Sequence, residues 1–377
     1  DQEAYLALID HHDPVFVQEH INWVKDLARG LPAAFDMALV GEPIVGDGFD
    51  GRADVTAMVE MRYTPGQKED DTQTWEPRVL RYRARFVPDA LDVNLDVPVG
   101  QEAVDSRIKL WDSLRYAGED WDVLEEGTTR VMFPPKYREL ADVVVHALPP
   151  IRAHVDAQMQ SDNSRHTQVV KIYGDMQHLQ ASIYLNYTAG LSGWNEPGES
   201  IKIMGREARG PNVLDGLLAH EYGHAATFWL GDKANAMPWW TLEGIADFVS
   251  NAYRDDFGKD NLDPARARDI PESVDRTIRQ WAQQNNLPTF PELADFYNFD
   301  ARLTGHVYRQ GHHMVAYITQ HFGVAARNDW LSAMARGDSI EDATVGVLGL
   351  SFADLDRQWR DSVRPTEDPS AQPATGG

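Results

Sequence analysis

His220-Glu221-Tyr222-Gly223-His224 is the stretch of this chain whose residue types and spacing can do chemistry. Leu214, Leu217, Leu218, Ala225 and Phe228 recur around it at helical spacing, which predicts one helix over about 212–230. Pro211 suits the first turn of that helix and Gly231 its C-terminal cap. Residues four apart share a helix face, so the imidazoles of His220 and His224 can bind one zinc ion. Glu221 lies about 100° round the helix from His220, where it can reach a water on that ion without being a ligand. The plain alternative is a buried helix with two hydrogen-bonded histidines.

A second stretch weighs against that alternative. Residues Pro238-Trp239-Trp240-Thr241-Leu242-Glu243-Gly244-Ile245-Ala246-Asp247-Phe248 begin another predicted helix, with Thr241 as its N-cap. Eighteen residues separate His224 from Glu243, and Asp247 lies one turn beyond Glu243 on the same face. A catalytic zinc site uses three protein ligands and one open position, and two His with one Glu is such a set. A ligating His donates its other N–H to a carboxylate, and Asp247 is placed to accept it.

H-E-x-x-H, eighteen residues, then Glu in an E-G-x-A context resembles the gluzincin metallopeptidases, which include thermolysin and the aminopeptidase N group. The pattern most resembles bacterial proteins with a peptidase MA-like domain. The specific likeness covers about 211–250, and a looser one runs over about 127–363. The resemblance implies a zinc-dependent peptidase that hydrolyses peptide bonds with a Glu-activated, zinc-bound water. It implies His220, His224 and Glu243 as zinc ligands, Glu221 as general base, and Asp247 as the partner of a ligand. Family members carry a Tyr, a small residue and a long helix where this chain has Thr304-Gly305-His306-Val307-Tyr308-Arg309-Gln310-Gly311-His312-His313. Tyr308 is therefore the expected donor to the oxyanion, with His306 and His312 as rivals.

In gluzincins the strand before the zinc helix is a sheet edge that pairs with substrate backbone. Here Ser200-Ile201-Lys202-Ile203-Met204 is the candidate for that strand addition. The G-x-M-E-N sequence of the aminopeptidases, whose Glu holds the substrate amine, is absent, so an endopeptidase is expected. The rival class is a non-catalytic zinc-containing binding or sensing protein on a peptidase scaffold. A zinc hydrolase of esters or epoxides is a third reading. Retention of Glu221 counts against structural zinc, as does a set of three ligands where structural sites use four.

These residues need elements to hold them, and 377 residues are enough for two substantial cores. A hydrophobic content of 42% fits a globular chain. No stretch reaches the roughly 18 uninterrupted apolar residues of a membrane helix. The acidic opening Asp1-Gln2-Glu3 has no signal pattern, and a mature ectodomain, extracellular or at the cell surface, is the expectation. With no Cys there is no thiolate site, so a metal must rest on His and carboxylate. A net charge of −24 argues against nucleic acid and anionic membrane as partners, leaving a peptide or protein substrate. The excess acid reads as a soluble surface before it reads as a cleft for cationic peptides.

In chain order, the pattern predicts an α+β protein. Residues 2–30 read as helical, with Asp13-Pro14 starting a second segment and His11-His12 at a solvated helix end. Ala53, Val55, Ala57, Val59, Met61 and Tyr63 alternate as a half-buried strand, followed by a loop with the acidic run Glu69-Asp70-Asp71. Leu80, Tyr82, Ala84 and Phe86 alternate with Arg81, Arg83 and Arg85, a strand whose arginine face meets acidic neighbours. Leu110 to Trp121 reads as a further strand, with Trp111 and Trp121 in the core. Helix followed by curved antiparallel sheet resembles the nuclear-transport-factor-like cone in element order.

A boundary is expected near Glu125-Glu126-Gly127, giving an accessory domain over 1–124 and a peptidase domain over 125–364. Thr128 to Phe133 reads as a strand, Lys136 to Met159 as a helix broken at Pro149-Pro150, and Val169 to Tyr173 as a strand. Pro264 to Asn298 and Val315 to Val363 read as mainly helical. Residues 365–377 lack a core pattern and read as a disordered tail.

Overall fold

The computed structural model describes residues 2–11, 13–28, 30–46, 54–66, 75–88, 108–116, 121–205, 211–257, 269–298 and 300–364. His12, the run Glu69-Asp70-Asp71, residues 264–268 and the expected tail lie outside the described residues. The chain divides into two compact units, Asp1–Pro149 with Arg165–Ala208, and Pro150–Ser164 with Arg209–Gly377.

The first unit opens with α1 (Gln2–Leu6) and α2 (Pro14–Leu27). Asp13 caps α2 by accepting from the backbone N–H groups of Val15 and Phe16. His11 is exposed between the two helices. Strands β1 (Ala34–Gly46), β2 (Asp54–Thr64), β3 (Arg78–Pro88) and β4 (Ile108–Tyr116) form an antiparallel sheet in that order. Alternation works here as the pattern requires. Met61 and Tyr63 on β2 and Leu80 and Tyr82 on β3 turn one face into the core. On the other face Arg81 stands opposite Glu60 and pairs with it at 2.8 Å.

One feature of this sheet differs from the sequence reading. Strand β1 had no predicted counterpart, and its apolar residues Phe35, Met37 and Leu39 are exposed. Of the stretch read as a strand from Leu110 to Trp121, the part to Tyr116 is strand and residues 117–120 lie outside the described residues. Trp121 is buried as expected, and packs with Tyr173 and Leu179. The side chain of Trp111 lies outside the described residues.

That next sheet is built from β5 (Asp122–Glu126), β6 (Thr129–Phe133), β7 (Gln168–Tyr173), β8 (Gly193–Trp194) and β9 (Ile201–Met204). Its order is β5-β6-β7-β9-β8, with parallel pairing inside and antiparallel pairs at both ends. Gly127 makes the β5–β6 turn at φ +58°, a conformation that suits glycine. Helix α3 (Arg138–Met159) follows β6 and runs unbroken through Pro149-Pro150. The side chains of Val144, Val145, Leu148, Ile151 and Val155 are fully buried, and that burial outweighs the hydrogen bonds the prolines remove. Helix α4 (Met176–Ile183) supplies Ala181 to the core of the first sheet, together with Leu185, Trp23 and Leu27. Residues 124–127 therefore lie within the first unit, because an element after them closes the core of the strands before them.

The second unit is helical: α5 (Pro211–Phe228), α6 (Trp239–Phe257), α7 (Asp269–Gln283), α8 (Thr304–Ala335, kinked at Gly323) and α9 (Phe352–Val363). Two glycine contacts set its crossings. A Cβ on Gly223 of α5 would meet Val249 Cγ2 at 2.8 Å and Ala246 Cα at 3.0 Å on α6. A Cβ on Gly311 of α8 would collide with the Trp240 carbonyl of α6. Both positions are glycine because backbones approach there, not because the helix needs flexibility. The chain is thus α+β, with antiparallel sheet towards the N-terminus and helices towards the C-terminus. Among the described residues no helix is long and apolar enough to cross a membrane.

Candidate metal centre

Helix α5 carries His220 and His224 one turn apart, and the close approach at Gly223 brings α6 against that turn. Three side-chain atoms converge as a result. The Nε2 atoms of His220 and His224 lie 3.2 Å apart. Glu243 Oε2 lies 3.2 Å from the first and 3.4 Å from the second. A tetrahedral zinc with ligand bonds of about 2.0–2.1 Å sets its ligand atoms about 3.3 Å from one another. The three separations match that edge length.

The chemistry of the donors fits as well. His220 Nδ1 lies 2.9 Å from Asp247 Oδ1, so Nδ1 carries the proton and Nε2 presents its lone pair to the cluster. Glu243 Oε1 accepts the indole N–H of Trp239 at 2.8 Å. Glu243 Oε2 is buried and has no hydrogen-bond partner among the described residues. Three electron-pair donors thus face one point, and a buried oxygen is left for a cation to satisfy. His220, His224 and Glu243 can hold a metal ion.

Electrostatics agree with the geometry. Burial alone would raise the Glu243 carboxyl, but His224 and His220 outweigh it and hold the group far below the usual carboxylate range. Burial alone would lower the His220 imidazole, but Asp247 and Glu243 outweigh it and hold the ring well above the usual histidine range. Without a cation a proton bridges these groups, and a metal ion would have to displace it from His220 Nε2. Glu221 is buried on the next position of α5, and burial pushes its carboxyl up, against the partial opposition of His220 and His224.

The expected oxyanion donors separate cleanly. Tyr308, half-buried on α8, stacks its ring on His220 with centroids 6.0 Å apart. It also meets Trp239 edge-on at 6.4 Å. His306 packs against Trp281 at 3.9 Å and its Nδ1 lies 3.2 Å from Gln310 Oε1. His312 lies behind the cluster, with Nδ1 3.2 Å from Asn251 Nδ2 and its ring against Phe248. Of the three, only Tyr308 makes a ring contact with a member of the cluster.

Three sequence expectations are corrected. Strand Ser200–Met204 is not a sheet edge: Gly193 and Trp194 pair outside it, opposite Ile203 and Lys202. Its side chains are consumed as well, since Ser200 donates to Glu19 and Lys202 pairs with Glu199 at 2.6 Å. Thr241 is not an N-cap, because α6 already starts at Trp239 and the Thr241 hydroxyl is buried without a hydrogen-bond partner. Gly231 does not adopt a left-handed cap; a side chain there would collide with the Ala335 carbonyl. Trp239, one turn before Glu243, was not singled out in the sequence. An aromatic donor at i−4 from a ligand was the available signal.

The site defines an α+β chain with a two-histidine, one-glutamate cluster on crossed helices. No family model matches the chain, and no curated protein matches it. Among solved structures it is similar to native yeast LTA4 hydrolase, at a TM-score of 0.42 and 10% identity, over 85% of this chain and 66% of that one. The chain thus spans just under two thirds of that structure's length. A likeness at this level carries no argument, and the functional reading rests on the cluster itself.

Proposed function

We propose that this chain is a zinc-dependent peptidase of the gluzincin kind, with His220, His224 and Glu243 as its metal ligands. The observation that carries the reading is the convergence of three lone-pair atoms at tetrahedral spacing beside a buried carboxyl that is not one of them. Zinc, when bound there, supplies a Lewis acid that makes water a stronger nucleophile and polarises a carbonyl. The remaining work falls to the chain's own groups. Asp247 holds His220 in the tautomer that leaves Nε2 free to ligate. Glu221, with its proton affinity raised by burial, takes the proton of the attacking water and returns it to the leaving amine. Tyr308 donates its phenol to the oxyanion.

Peptide substrates cleaved internally are the finer part of the proposal, supported by the absence of a G-x-M-E-N amine anchor. The test joins metal content to turnover. The purified chain is expected to hold about one zinc. Glu221→Gln keeps size and polarity but cannot take a proton, and is expected to lower peptide cleavage at least about a hundredfold with zinc retained. The substrate for both proteins is a peptide library, and N-terminal acetylation of its members is expected to leave cleavage unchanged. Equal, slow cleavage by wild type and Glu221→Gln would sink the peptidase reading in favour of a zinc-holding scaffold.

A further inference from the structure

The Glu243 carboxylate has two oxygens in two different environments. Oε2 faces both imidazole Nε2 atoms and accepts no hydrogen bond. Oε1 faces away and accepts the Trp239 indole N–H at 2.8 Å. Trp239 itself is buried, with Phe296 edge-on at 5.2 Å and Tyr308 edge-on at 6.4 Å. Packing on two sides limits the rotation of the indole, so its N–H direction is set by the surrounding rings rather than by Glu243.

We propose that Trp239 is a positioning residue for the metal centre: its indole N–H engages one Glu243 oxygen and leaves the other as the single carboxylate donor. The inference rests on the zinc reading and deepens it. A carboxylate with both oxygens free can rotate or ligate through both, and each alternative spreads the donor set over more than one geometry. A hydrogen bond to Oε1 removes that choice before any ion arrives. The cost of ordering the carboxylate is met during folding, so it is not charged against metal binding. Outer partners of this kind change metal affinity by about 10–100-fold when removed.

The test uses the full chain with zinc and, separately, cobalt(II). Trp239→Phe keeps a ring and removes the N–H. It is expected to weaken zinc binding about 10–100-fold in a chelator competition and to shift the cobalt(II) absorption bands. Phe290→Leu trims a buried ring that packs on the neighbouring Trp240 instead of Trp239, and is expected to leave zinc affinity and the cobalt spectrum close to wild type. Trp239→His restores a ring N–H at the position of the indole nitrogen. It is expected to bind zinc more tightly than Trp239→Phe, a comparison that holds even if both variants lose thermal stability. Equal zinc affinity and an unchanged cobalt spectrum in Trp239→Phe overturn the inference, as does equal affinity in the His and Phe variants. If wild type itself takes up no zinc, the metal reading fails, and with it the role given to Trp239.

Discussion

Two buried polar clusters in this chain look alike in composition and differ in how they are satisfied. In the first unit, Lys171 pairs with Glu19 and Lys202 pairs with Glu199, each at 2.6 Å. Ser200 donates to Glu19, Asn22 donates to Glu199 at 2.8 Å, and Lys202 also donates to the Ser182 carbonyl at 3.1 Å. Each cation there has an anion, and the network ties α2 to β7 and β9. In the second unit, the His220–His224–Glu243 cluster sets lone pairs against one another and leaves Glu243 Oε2 without a donor. A closed network stabilises a fold; an unclosed one of ligand-type atoms is prepared for something that binds. The first cluster should therefore answer to unfolding experiments, and the second to metal and turnover.

The largest expected effect tests the closed network. Lys202→Met keeps the length of the side chain and leaves Glu199 without its buried cation. A loss of about 3–5 kcal/mol in denaturant unfolding is expected. A loss under about 1 kcal/mol, typical of a surface pair, would break the comparison from the structural side.

Next in size is Tyr308→Phe, which probes the open cluster. The ring that stacks on His220 stays, so zinc content and folding should hold. Turnover is expected to fall about a hundredfold, near 2.7 kcal/mol, with the loss in kcat rather than in substrate binding. His306→Ala and His312→Ala are the controls, because their rings engage Trp281 and Phe248 instead. A large kcat loss in either, beside an active Tyr308→Phe, would move the oxyanion role to that histidine.

The smallest effect concerns Glu196, a buried carboxyl beside the closed network. Burial pushes its carboxyl well above the ordinary value of 4.5, and Glu199 and Asp26 push it further. A carboxyl raised on folding adds stability below its unfolded value, and that contribution is lost as pH rises through the folded value. Glu196→Gln imitates the neutral form. It should raise the melting temperature at pH 8 and leave it unchanged at pH 4. A gain of equal size at both pH values would assign the effect to packing rather than to charge.

Much of the His220–His224–Glu243 cluster was legible because it depends on local periodicity. His220 and His224 share a face through i,i+4 spacing, and Glu243 and Asp247 do the same one helix later. The strands carrying Met61, Tyr63, Leu80 and Tyr82 were legible for the same reason, since alternation survives wherever one face is buried. Strand β1 escaped because its apolar side chains are exposed and give no contrast between faces. The unbroken path of α3 through Pro149-Pro150 escaped because burial overrode the local signal. The sheet edge was misplaced because β8 is only two residues long, too short to leave a periodic trace.

From the sequence alone came the donor atoms and the helix faces that carry them. Only the tertiary structure decided that those faces meet, through backbone approaches at Gly223 and Gly311 that no spacing rule contains. It also decided that Tyr308, and neither neighbouring histidine, turns to His220, and that Ser200–Met204 is covered on its outer side. The physical reason is range. Periodicity is set by bonds along one element, whereas the choice of which surfaces touch is made by packing between elements far apart in the chain.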